Sequence, residues 1–212
     1  SGMTVEASLQ LSRSYGEMAK REPDSNKRTT LFNAAVVAMT KARKYDKSAG
    51  FRARSDVVIA GLLLLKADAE TEFGTPEKAT EYRGSAISTL QGLMMLGDPN
   101  DLTARPHIED AFALCLPLLL DAEHWQAALD DCDNYLETFG NKGRFVSEVR
   151  RVRSKAKTKL AMSGVEVTVG AEDSDEEAEE AVEAPAVPAP ADAEATAEGA
   201  APAPANGTGE QL

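Results

Sequence analysis

The chain has 212 residues and carries 35 acidic and 23 basic side chains, a net charge of -12. Thirteen of the acids and none of the bases lie beyond Lys159, which leaves 22 acids against 23 bases before it, so the acidity belongs to the C-terminal stretch alone. The longest apolar cluster, Leu62 to Leu65, is far short of the roughly 20 residues a membrane span needs, and no apolar run near the N-terminus suffices for a signal-peptide core.

A soluble, cytoplasmic protein is therefore expected, with residues 1–163 forming one helical domain and residues 164–212 an acidic, Ala/Pro-rich tail that cannot bury enough apolar surface to order itself. Ser1 and Gly2, ahead of Met3, read as the remnant of a cleaved tag.

A first helix is expected over 5–20, with Val5, Leu9, Leu11, Tyr15 and Met18 at helical spacing and Pro23 as its stop. Asp24 and Ser25 offer capping oxygens for a second, whose Leu31, Phe32, Ala35, Val36, Met39 and Ala42 trace a broad apolar stripe toward Lys47. Gly50 interrupts the pattern, and Ser55-Asp56 restarts it as a third helix ending at Phe73. That helix is apolar almost all round, as a central element must be. Gly74 is expected to end it in the left-handed conformation, and Thr75-Pro76-Glu77 to cap a fourth helix that runs to Gly97. The fifth spans Pro99 or Pro106 to Asp121, with a kink near Ala113 imposed by Pro117. The sixth covers 124–138. The seventh, 144–162, sets Phe145, Val149, Val152, Ala156 and Leu160 as a narrow seam on a basic cylinder. Strand periodicity is confined to the isolated VEVTV at 165–169, so the fold is all-α, about seven helices stacked as antiparallel hairpins.

Cys115 and Cys132 fall on the fifth and sixth helices. Buried free thiols are expected there in preference to a disulfide, and with no CxxC or HxxxH spacing no metal is expected.

Between Ile108 and Gly140 the chain resembles a tetratricopeptide repeat, mainly over residues 109–140. Phe112, Trp125, Ala128 and Gly140 stand where that family places an aromatic in its first helix, an aromatic at the turn, a small residue at the helix crossing and a terminator. The family's Leu-Gly pair is replaced by Cys115-Leu116, and Pro117 is foreign to that helix. The same frame set on Ala86 reaches Leu90 and Leu93 but loses phase before them, and an ordinary helical bundle is the competing architecture. The resemblance implies a scaffold that binds other proteins and carries no reaction.

Nothing in the residues argues for catalysis. His107 and His124 each stand at a helix start with no Cys, Ser or acid at catalytic spacing; P-loop, GxGxxG and HExxH patterns are absent, and no cofactor is expected. An adaptor with a protein or peptide partner is the expectation. Asp130, Asp133 and Glu137, with Asp131 beside them, are the candidates for meeting a basic segment, and Arg144, Arg151 and Lys155 for meeting an acidic one. The basic run 142–159 also admits a cap for the stack or a nucleic-acid surface, helped by the cluster Lys41, Arg43, Lys44, Lys47, Arg52 and Arg54. An acidic tail tethered close to a basic helix is expected to screen it and compete with its ligands.

Overall fold

The computed structural model describes residues 2–164, and these form seven α-helices with no strand among them. They are α1 (Gly2–Lys20), α2 (Ser25–Tyr45), α3 (Ala49–Phe73), α4 (Pro76–Leu96), α5 (Arg105–Asp121), α6 (Trp125–Phe139) and α7 (Val146–Met162), with a 3-10 turn at Gly140–Lys142 before α7. The tail and its expected contact with the basic helix lie outside the described residues. Among the described residues no helix is long and apolar enough to cross a membrane.

Consecutive helices pair: α1 with α2, α3 with α4, α5 with α6, and α6 with α7. Each odd-numbered helix also packs on the next one of its kind, α1 on α3, α3 on α5 and α5 on α7, while α2 and α4 lean on the helices that follow them. The α3 helix thus touches four others, which is why its apolar residues run around the whole cylinder.

Side-chain caps set the starts of α2, α3 and α4. The Asp24 carboxylate accepts the Lys27 N–H at 2.9 Å and starts α2, and Thr75 does the same for α4 through Lys78 at 3.5 Å. Helix α3 starts earlier than Ser55-Asp56 suggested. Ser48 is its cap, accepting from Phe51 N–H at 3.2 Å, and Gly50 lies within the first turn. Glycine is required there because a Cβ would lie 2.6 Å from Thr103 Oγ1. Ser55 is buried mid-helix instead, donating to the Arg52 carbonyl at 2.8 Å and accepting from Arg43 Nε at 2.7 Å, while Asp56 pairs with the same guanidinium. Gly74 ends α3 at φ -128°, outside the left-handed region expected of it.

Helix α5 begins at Arg105, with Pro106 in its first turn; the Asp98-Pro99 segment is a connection, not a helix start. Pro117 sits within an unbroken α5. The chain then turns through Glu123, whose φ of 60° is the left-handed value more often given to glycine, and His124 N–H closes the turn on the Leu119 carbonyl at 2.9 Å. Gly140 ends α6 at φ 52°, ψ -146°, a conformation that suits glycine alone.

The largest cluster of buried side chains runs from α3 to α7 and centres on Phe112, Tyr135 and Phe139, whose rings meet edge-on or tilted at 5.2, 6.0 and 4.9 Å. Ala128, beside Cys115 and Cys132, is fully buried, and Trp125 packs on the margin of the cluster. The α1–α2 pair is built differently. Beside Leu9, Phe32 and Met39 it buries a run of small residues, Ser8, Ser12, Ala35, Ala38 and Ala42, and the Ser12 hydroxyl donates across the pair to the Ala35 carbonyl at 2.9 Å. Small residues let the two backbones approach, so Leu11, Met18 and Val36, expected in the core, are displaced outward and exposed. Gly16 similarly admits Leu62, whose Cδ2 would lie 2.5 Å from any Cβ there.

Candidate binding surface

The fifth residue of α5 is a buried carboxylate, Glu109, only 3% exposed. Arg144, ahead of α7, reaches it, and Gly143 lies against the Tyr135 ring. Glu109 Oε2 accepts the Arg144 backbone N–H at 2.6 Å and the Tyr135 hydroxyl at 3.2 Å, and that hydroxyl accepts the Phe145 N–H at 2.9 Å. Arg105 and Arg144 bring Nε to 3.4 and 3.5 Å from the same carboxylate. Two cations and three linked N–H or O–H donors offset the cost of burying the charge. Burial, with Glu109 adjacent, raises the Tyr135 phenol above its ordinary range and keeps it a donor. The whole group is structural: it fastens α5, α6 and the start of α7 together.

Against that frame the candidate residues divide. Arg144 is engaged inside the molecule, with its guanidinium on Asp110 at 2.8 Å and on the Pro106 carbonyl. Asp133 holds Arg153 of α7 at 2.5 Å. Asp131 is half-buried and accepts from Gln91 of α4 at 3.1 Å; burial raises its carboxyl above the usual range. Asp130 is exposed and takes a bond only from Gln126 one turn back, at 2.7 Å, and Glu137 is exposed on the same helix. His107 rests 3.5 Å from Asp110, and His124 precedes α6 without a side-chain capping bond.

On α7 the seam of Val149, Val152, Ala156 and Leu160 is buried, as its spacing predicts. Phe145 packs on the margin of the core. On the exposed side Arg151, Lys155 and Lys159 follow one another at i, i+4 and i+8. Arg151 is 66% exposed and pairs with Glu148 at 3.6 Å, a surface pair of little energetic weight. Helix α5, packed beside α7, adds the exposed Leu114, with Asp121 at its end. What α7 offers outward is a cationic ridge, and the α5 helix packed on it carries one exposed leucine.

Cys115 and Cys132 are buried and free, and burial pushes each thiol up to about 12, where thiolate chemistry is suppressed. Among the described residues no group of three or more His, Cys, Asp or Glu side chains is placed to hold a metal ion. Of these features, Glu109 had no mark in the sequence beyond being an acid at a helix start. Arg105, one turn back, is a local partner, but Tyr135 and Arg144 lie 26 and 35 residues away, beyond the reach of any local rule. Comparison of the chain with models of known protein families, with curated proteins and with solved structures finds no match.

Proposed function

We propose that the chain is a non-catalytic adaptor of the tetratricopeptide-like kind: three helical hairpins, α1–α2, α3–α4 and α5–α6, closed by α7. The observation that carries this reading is the packing order, in which α1, α3 and α5 each lie on their own partner and on the next odd-numbered helix. That order is what a stack of repeated two-helix units produces, since each unit buries its apolar face only against its neighbours. The Trp125, Ala128 and Gly140 placements agree with it: a margin aromatic, a fully buried small residue and a positive-φ terminator.

In such a scaffold the face shared by α5 and α7 is the docking surface, and its partner is an acidic protein segment with at least one apolar anchor. Leu114 meets the anchor; Arg151, Lys155 and Lys159 meet the carboxylates. The same ridge supports a second reading, in which the cations hold the phosphates of a nucleic acid.

Fluorescence anisotropy separates the two. The probes are a labelled peptide of alternating Glu and Leu, its Lys–Leu counterpart, and a single-stranded DNA of about 20 nucleotides. The acidic peptide alone is expected to bind, and Lys155→Glu with Lys159→Glu to weaken it roughly 10-fold. Tighter binding of the DNA, with a linear loss of affinity on a log–log salt plot, would transfer the ridge to the second reading. No binding of either anion would remove it as a docking surface.

A further inference from the structure

At the opposite ends of α4 and α5 from the Asp121 turn, the fold leaves three large apolar side chains uncovered. Met95 and Leu96 close α4, Leu102 lies in the connection to α5, and they are 79%, 88% and 82% exposed. Apolar side chains gathered on a surface in this way mark a place of association.

The connection that carries them is tied down. Asp98 accepts the Asn100 N–H at 2.9 Å, and Asp101 accepts the N–H and hydroxyl of Thr103 at 2.8 and 2.6 Å and the Ala104 N–H at 3.2 Å. These bonds hold the Asp101 carboxyl below its usual range, so it is charged. Gly97 lies so close to α5 that a Cβ would sit 2.7 Å from Ile108 Cδ1. A surface already held in one shape loses little freedom on binding. The close approach of Gly50 to Thr103 sets the α2–α3 turn beside this connection. That turn exposes Lys44, Tyr45, Lys47 and Arg52, and its one acid, Asp46, is half-buried and bonded to the Ser48 N–H at 2.9 Å.

We propose that this end is a two-fold interface between copies of the chain, centred on Met95, Leu96 and Leu102. Charge selects the occupant. An acidic segment or an anionic bilayer would meet Asp98 and Asp101 beside the leucines, and a basic segment would meet Lys44, Lys47 and Arg52. A second copy turned about a two-fold axis sets apolar centre on apolar centre. It also brings the aspartates of each connection to the cations of the other copy's turn. The patch supplies its own complement.

Sedimentation velocity on the full chain, from about 5 to about 200 µM at low salt, reads the association directly. The wild-type chain is expected to pass from monomer to dimer across that range. Leu96→Glu and Leu102→Glu, both at highly exposed positions, each raise the dissociation constant about 10-fold or more with an unchanged circular dichroism spectrum. Lys44→Glu with Lys47→Glu weakens the dimer roughly 5-fold, and adding Asp98→Lys restores it, because the opposed charges are exchanged and not lost. A chain that stays monomeric throughout overturns the proposal, as does a dimer indifferent to the leucine changes. Monomeric chain that binds vesicles of anionic phospholipid, or the Glu–Leu peptide in a manner sensitive to Leu96→Glu, overturns it in favour of those partners.

Discussion

The α1–α2 pair buries Ser8, Ser12, Ala35, Ala38 and Ala42 beside Leu9, Phe32 and Met39, whereas the α5–α6 pair buries Phe112, Leu116, Leu119, Leu129, Tyr135 and Phe139 beside Ala111 and Ala128. Both are hairpins, yet small side chains and close backbones hold a larger share of the first, and three aromatic and several leucine side chains a larger share of the second. Close packing of small side chains gains dispersion contact and one cross-pair hydroxyl bond, at the cost of apolar area withdrawn from water. Bulky packing withdraws the area and needs a polar device to fix its register, which Glu109 and Tyr135 supply. Stability should therefore be unevenly spread, with the α5–α7 part the harder to unfold.

The sharpest test of that contrast removes the polar device. Glu109→Ala strands the Arg144 N–H and the Tyr135 hydroxyl together with two guanidinium groups, and should lower the unfolding free energy by about 3 kcal/mol in urea denaturation, with α7 losing hydrogen-exchange protection first. Equal protection across all helices would break the comparison. A smaller effect is expected at the close-packed pair. Ala35→Leu forces apart the backbones that Ser12 and Ala35 bring together and should cost about 2 kcal/mol, while Leu11→Ala, on the outside of the same pair, should cost less than about 0.5 kcal/mol.

The smallest effect carries a pH signature. Burial raises the Asp131 carboxyl, so the folded state holds its proton more tightly than the unfolded chain does. Folding is then unpenalised below the unfolded value. The penalty grows as pH rises between the unfolded and folded values and is complete above both. Asp131→Asn keeps an acceptor for Gln91 and should raise the melting temperature at pH 7 but leave it unchanged in acid below the ordinary carboxylate range.

The helix count, the α2 and α4 caps and the α7 seam were legible because each depends on residues within a few positions of one another, as Asp24 with Lys27 and Thr75 with Lys78 do. The start of α3 was not. Ser48 and Ser55 both offer a capping hydroxyl, and the reason for a glycine at 50 is the close approach of Thr103, far along the chain. Leu11 and Met18 misled because hydrophobic periodicity weighs size, while the α1–α2 approach is governed by smallness at Ser8, Ser12 and Ala35. At the candidate surface, residue type marked α7 as basic, but only the geometry separates Arg144, drawn into Glu109 and Asp110, from Arg151 and Lys155, which face outward.

The main-chain bond from Arg144 to Glu109 has a mechanical side. Chain tension applied beyond Met162 reaches the helical stack through α7, and at the head of α7 the backbone itself is moored, at Arg144 to the Glu109 carboxylate and at Phe145 to the Tyr135 hydroxyl. A load pulling α7 away from its seam would therefore stop at a two-point anchor before it reached the first two hairpins, and α7 would yield as a separate, sacrificial step.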